Sequence, residues 1–134
     1  MSAVSHFAKL FTGLRLAYGS YRPNEDNGPG KQKGQYRVVS EEIDDERLIE
    51  LWKNHLEGKE SLGIVPICED NTCVWGAIDI DDYPLNLAEL SDRLIKRGEM
   101  PFVIARSKSG GAHVFCFTTV PVCIRACASL AYAV

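Results

Sequence analysis

The stretches CVWGAIDIDD, residues 73–82, and FVIARSKSGGAHVFCFT, residues 102–118, decide the fold. The first is an apolar run that breaks off in the carboxylates Asp79, Asp81 and Asp82. The second is two apolar runs, 102–105 and 112–118, parted by a segment of Arg, Ser, Lys and Gly. Short runs rich in Val, Ile and Phe and bounded by Gly, Ser and Asp read as strands. Between the two stretches, Pro84 precedes an amphipathic helix over about 86–97. Leu87, Leu90, Leu94 and Ile95 form its apolar side and Gly98 closes it. Upstream, 62–67 reads as a further strand, joined to 73–80 by the turn Glu69-Asp70-Asn71. Downstream, Pro121 opens a last apolar helix. The order strand, strand, helix, strand, strand, helix predicts an α+β fold with a mixed β-sheet flanked by helices.

Farther from these stretches the pattern is helix and loop. Residues 3–12 have helical spacing, with Phe7, Leu10 and Phe11 on one face and Gly13 as a stop. Residues 19–35 are rich in Gly, Pro and Asn and read as a long loop; 36–39 reads as a short strand. Asp44 or Asp45 caps a helix that runs to about Glu57 and ends at Gly58, with Leu48, Leu51, Trp52 and Leu56 as its apolar stripe. The 134 residues are one domain's worth. They divide into a helix-and-loop part, 1–58, and a motif-bearing α+β part, 59–134.

Composition excludes some function classes. Hydrophobic residues at 46% and charged residues at 25% are globular values. A net charge of −3 lacks the basic excess of many nucleic-acid binders. The charge is uneven, however: Lys31, Lys33 and Arg37 form one basic cluster, and Arg93, Lys96, Arg97, Arg106 and Lys108 another. Five cysteines, an odd number without a CxxC pair, fit buried thiols in a reducing cytoplasm better than a disulfide framework or a zinc module. No apolar run reaches the roughly 20 residues that cross a bilayer, so no membrane partner is expected.

Two features carry chemistry. Asp79 and Asp81, at i and i+2 near a strand end, point to one face, while Ile78 and Ile80 fill the other. Two like charges held that close repel, and a hard divalent cation such as Mg²⁺ relieves the repulsion through oxygen ligands. The bland alternative is a strand end meeting solvent. The run lacks the Gly and distal Glu of an EF-hand loop. The second feature is the segment 106–113, with Ser107, Lys108, Ser109, Gly110 and Gly111 ahead of His113. Glycine-freed amides, hydroxyls and a lysine suit a triphosphate; the alternative is an ordinary hairpin turn. No Walker P-loop string is present.

An apolar strand ending in DxD, then a helix, a strand and SxSGGxH, resembles the archaeo-eukaryotic primase superfamily. The branch it is most similar to is that of TOTE conflict systems and phage or plasmid replication proteins. The resemblance covers about 55–117, including His55-Leu56-Glu57-Gly58-Lys59, Gly63-Ile64-Val65-Pro66-Ile67, Ala77-Ile78-Asp79-Ile80-Asp81 and the run Arg106 to Phe115. It implies an RRM-like ββαββ unit and a two-metal nucleotidyltransferase, a DNA primase-polymerase. Such an enzyme joins nucleoside triphosphates on a single-stranded DNA template with Mg²⁺ or Mn²⁺, and a helicase domain or subunit is a further partner. By position, Asp79 and Asp81 would be the catalytic metal ligands. Ser107, Lys108, Ser109, Gly110, Gly111 and His113 would hold the phosphates, and Arg106, Lys31 and Lys33 the template. The family's third motif is a later carboxylate, and no Asp or Glu follows His113. The expectation is therefore an incomplete domain, weakly active or inactive as it stands. Two other classes also fit: a non-catalytic nucleotide- or nucleic-acid-binding module, and a metal-dependent nuclease using Asp79, Asp81 and His113.

Overall fold

The side chain of Ser2 caps the first helix, α1 (Ala3–Leu10), its Oγ accepting from the Ser5 amide at 3.2 Å. Asp44 does the same for α2 (Asp45–Leu56), where Oδ1 accepts from the Arg47 amide at 2.7 Å. Asp45 and Glu46 in the first turn favour the positive end of the helix dipole. The apolar stripes expected on both helices meet: the rings of Phe7 and Phe11 lie 5.2 and 5.6 Å from Trp52. The computed structural model describes residues 2–23, 34–97, 102–107, 110–123 and 125. They belong to two compact units, Met1–Asp70 and Asn71–Val134.

In the first unit, β1 (Ala17–Pro23) and β2 (Gly34–Ser40) pair antiparallel, with Tyr18 opposite Val39 and Ser20 opposite Arg37. Much of the segment expected as loop is thus strand; 24–33 lie outside the described residues. The expected strand at 62–67 shrinks to β3 (Gly63–Ile64), and it pairs with β1 rather than forming a hairpin with the strand after it. The physical reason is that Val65 is held by the N-terminal segment: its carbonyl accepts from the Leu14 amide at 2.9 Å. The sheet order is β2-β1-β3, over a core of Ala8, Tyr18, Ile43, Leu48, Leu51 and Trp52. Arg47 clasps its rim, donating to Glu41 and Glu50 at 2.8 Å each and to the Tyr18 hydroxyl at 3.2 Å. Bonding to Glu41, then to Glu50, raises its already high pKa and keeps it charged. His55 ties the end of α2 to the segment after it, its Nδ1 accepting from the Leu62 amide at 3.2 Å.

The second unit is a three-stranded sheet with a helix. Its strands are β4 (Thr72–Ile80), β5 (Phe102–Arg106) and β6 (Ala112–Cys123), in the order β4-β6-β5. Helix α3 (Leu87–Arg97) starts at Asn86, whose Oδ1 accepts from the Ala88 and Glu89 amides. Its apolar side, Leu90 and Leu94, packs with Ala112 and Val114, joined by Ile78, Ile80, Phe102 and Ile104. The expected helix at Pro121 is instead the end of β6. From Trp75 to Cys73 on β4 the partner residue steps from Phe117 to Val122, so β6 bulges over 118–121. A bulge is where a strand tolerates Pro, which brings no amide to the ladder. The expected continuation of a helix beyond Cys123 lies outside the described residues apart from Arg125.

The fold is α+β, as predicted, but both described sheets are antiparallel where one mixed sheet was expected. Among the described residues Cys68, Cys73, Cys116 and Cys123 form no disulfide, and no helix is long and apolar enough to cross a membrane.

Candidate active site

Pleating sorts the second sheet's residues by face. Even-numbered Ile78, Ile80, Ala112 and Val114 lie under α3, so Ala77, Asp79, His113 and Phe115 lie on the opposite, open face. Register puts Asp79 directly across from His113, and Ala105 of β5 completes that row. His113 Nε2 stands 3.3 Å from Asp79 Oδ1, with the Asp79 side chain 63% exposed. Aromatic rings continue the face along the strands. Phe115 meets His113 edge-on at 6.1 Å, stacks with Phe117 at 6.4 Å and lies 6.5 Å from Trp75.

Asp81 is one residue past the end of β4 and is exposed. Its Oδ1 accepts a hydrogen bond from the Tyr83 hydroxyl at 2.9 Å. Asp82 lines a groove of about 400 Å³ beneath α3, together with Ile78, Ile80, Leu85, Glu89 and Arg93. Asp82 thus lies on the same side of the strand end as Ile78 and Ile80.

The glycine-rich segment reaches the same end of the sheet. Arg106 pairs with Ala112 at the close of β5, and alternation sets it on the α3 side, away from His113. Ser107 is buried, and its amide donates to the Gly111 carbonyl at 2.9 Å, while the Gly110 amide donates to the Ser107 carbonyl at 3.1 Å. Those two amides close the turn on itself; they do not line an open cradle. Gly110 has φ +98, a conformation few side chains accept. Gly111 passes so near β4 that a Cβ there would lie 2.2 Å from the Ile80 carbonyl oxygen. Lys108, Ser109, Lys31 and Lys33 lie outside the described residues.

The donor chemistry fits a hard divalent cation in one respect and stops short in another. Asp79 and Asp81 offer anionic oxygens on one solvent-facing edge, and Mg²⁺ is commonly held by one or two carboxylates with water and substrate phosphate supplying the rest. Among the described residues no group of three or more His, Cys, Asp or Glu gathers as a complete cage. The residues missed from sequence alone are Tyr83 and the aromatic row. The row was legible as the spacing His113, Phe115, Phe117 on one strand face; Tyr83 had no signal beyond its place after Asp82.

The described residues thus present an α+β sheet with two carboxylates at one strand end and a glycine turn beside them. Residues 5–134 match the family model described as TOTE conflict system, archaeo-eukaryotic primase domain. The chain belongs to that family, whose members are primase-like nucleotidyltransferases acting on nucleotides and nucleic acid, generally with divalent metals. No curated protein matches the chain.

Proposed function

We propose that this chain is the catalytic domain of a DNA primase-polymerase, joining nucleoside triphosphates on a single-stranded DNA template with Mg²⁺ or Mn²⁺. One observation carries it. Asp79, Asp81 and His113 stand at the end of the sheet where the glycine turn also arrives. Asp79 and Asp81 are the metal ligands. When bound, the cation neutralises phosphate charge and activates the attacking 3′-oxygen. His113 lies next to Asp79, within reach of a phosphate oxygen of the incoming nucleotide. Lys108 and Ser109 supply the remaining phosphate contacts, because the amides of Ser107 and Gly110 are engaged within the turn that Gly111 lets run close to β4. Charge-assisted bonds of that kind contribute about 1.5–3 kcal/mol each. Arg106, Lys31 and Lys33 are assigned to template phosphates, a contact without sequence preference and weakened by salt. A helicase domain or subunit would supply the unwound strand, in the cytoplasm.

The test is incubation with a 5′-labelled primer on a DNA template, all four nucleotides and Mn²⁺. Template-dependent lengthening is the expected result. Shortening of the labelled strand would instead identify a nuclease. Nucleotide binding with neither change would identify a binding module. Either outcome overturns the assignment.

A further inference from the structure

We infer that Tyr83 is a positioning residue for the metal site, acting through Asp81. Its hydroxyl donates to Asp81 Oδ1 at 2.9 Å, so one carboxylate oxygen is engaged and the carboxylate's rotamers are restricted. The same ring borders the glycine turn: its Cε1 atom lies 3.9 Å from where a Cβ on Gly110 would be. Tyr83 thus stands between the acidic strand end and the turn that follows β5. The neighbouring acid is arranged alike, with Asp79 Oδ1 facing His113 Nε2 at 3.3 Å.

A phenol suits this task better than a cation would. It is a neutral donor, so it orients Asp81 without cancelling the negative charge a metal ion needs. A lysine or arginine there would form an ion pair and compete with the metal. Asp81 also lies beyond Ile80, the last ladder residue of β4, and among the described residues no strand pairing continues to it. Without a tether its side chain would sample several rotamers, and each binding event would have to order it again. Partners that orient a ligating carboxylate typically change metal affinity by about 10- to 100-fold. Tyr83 is 55% exposed, so the hydrogen bond should add little to folding stability, and its role can be read separately from the fold.

The inference rests on the assignment of Asp79 and Asp81 as metal ligands, and the experiment keeps the two apart. Mn²⁺ is titrated calorimetrically into wild type, Tyr83→Phe, Asp81→Asn and the double variant, with thermal unfolding recorded for each. Tyr83→Phe should bind Mn²⁺ about tenfold more weakly with an unchanged unfolding midpoint. In the Asp81→Asn background, removing the hydroxyl should change nothing further, because the tyrosine acts only through that carboxylate. If Asp81→Asn loses affinity while Tyr83→Phe matches wild type, the positioning role is overturned and the metal assignment stands. If the wild-type chain takes up no Mn²⁺, or Asp81→Asn binds like wild type, both fall.

Discussion

The double variant Asp79→Asn/Asp81→Asn should give no heat on titration with Mn²⁺, and its template-directed incorporation should fall by about 10³ or more. Asparagine keeps the shape of aspartate but offers a neutral oxygen, and two such oxygens do not hold a divalent cation in water. A bound metal contributes several kcal/mol of transition-state stabilisation, and each 1.36 kcal/mol is a factor of ten in rate. The loss will not come from misfolding. Asp79 is 63% exposed and Asp81 is exposed past the strand end, so neither packs in a core. Asp82→Asn is the matched control: it removes one charge from the same run but on the α3 side, and should leave Mn²⁺ binding within about twofold. Equal heats in wild type and the double variant would show that the two carboxylates are only a solvated strand end.

The second large effect is on stability. Trp52→Ala should lower unfolding free energy by about 3–5 kcal/mol, the range for emptying a buried large aromatic site. Trp52 is 5% exposed, and the rings of Phe7, Phe11 and His55 all lie within 5.6 Å of it. No single small residue nearby can close the space. Against a total of roughly 5–15 kcal/mol for a domain, that is a large share. Trp52→Phe should be far milder, about 1.5 kcal/mol or less. Among the described residues the buried Nε1 has no hydrogen-bond partner, so phenylalanine removes an unpaired donor as well as some ring area. Urea unfolding followed by far-UV circular dichroism measures both. A shift under about 1 kcal/mol for the alanine variant would mean that the aromatic cluster is not what binds α1 to α2.

Local chemistry was legible; long-range pairing was not. The cap of α2, narrowed by the structure from Asp44 or Asp45 to Asp44, the buried members Leu48, Leu51 and Trp52 of α2 and Leu90 and Leu94 of α3, and the carboxylates ending β4 all follow from neighbours within a few residues. Leu56 and Ile95, expected on the same stripes, are exposed. The errors share a cause. Gly19 to Pro23 reads as loop because Gly19 and Pro23 break the strand pattern; only its partners β2 and β3 make it a strand. Val65 is claimed by an amide some fifty residues upstream, which no window around 62–67 contains. Pro121 reads as a helix start because the bulge that accommodates it is a property of the β4–β6 register. In the site, His113 was legible as a residue at the start of its strand but not as the cross-strand partner of Asp79, since alternation gives a residue its face and not its opposite number.

In the string Ser109-Gly110-Gly111-Ala112 the two glycines look interchangeable, yet a library randomised at both positions would tell them apart. At 110 the obstacle is conformational, and asparagine, which enters positive φ most readily among the other residues, would be the first survivor. At 111 the obstacle is a carbonyl oxygen of Ile80, and no choice of side chain avoids a Cβ. The atom in the way belongs to the residue between Asp79 and Asp81, so the smallest change at 111 is felt as a displacement of both acids. Position 111 is in effect part of the acidic motif, although it stands 30 positions after Asp81 in the chain.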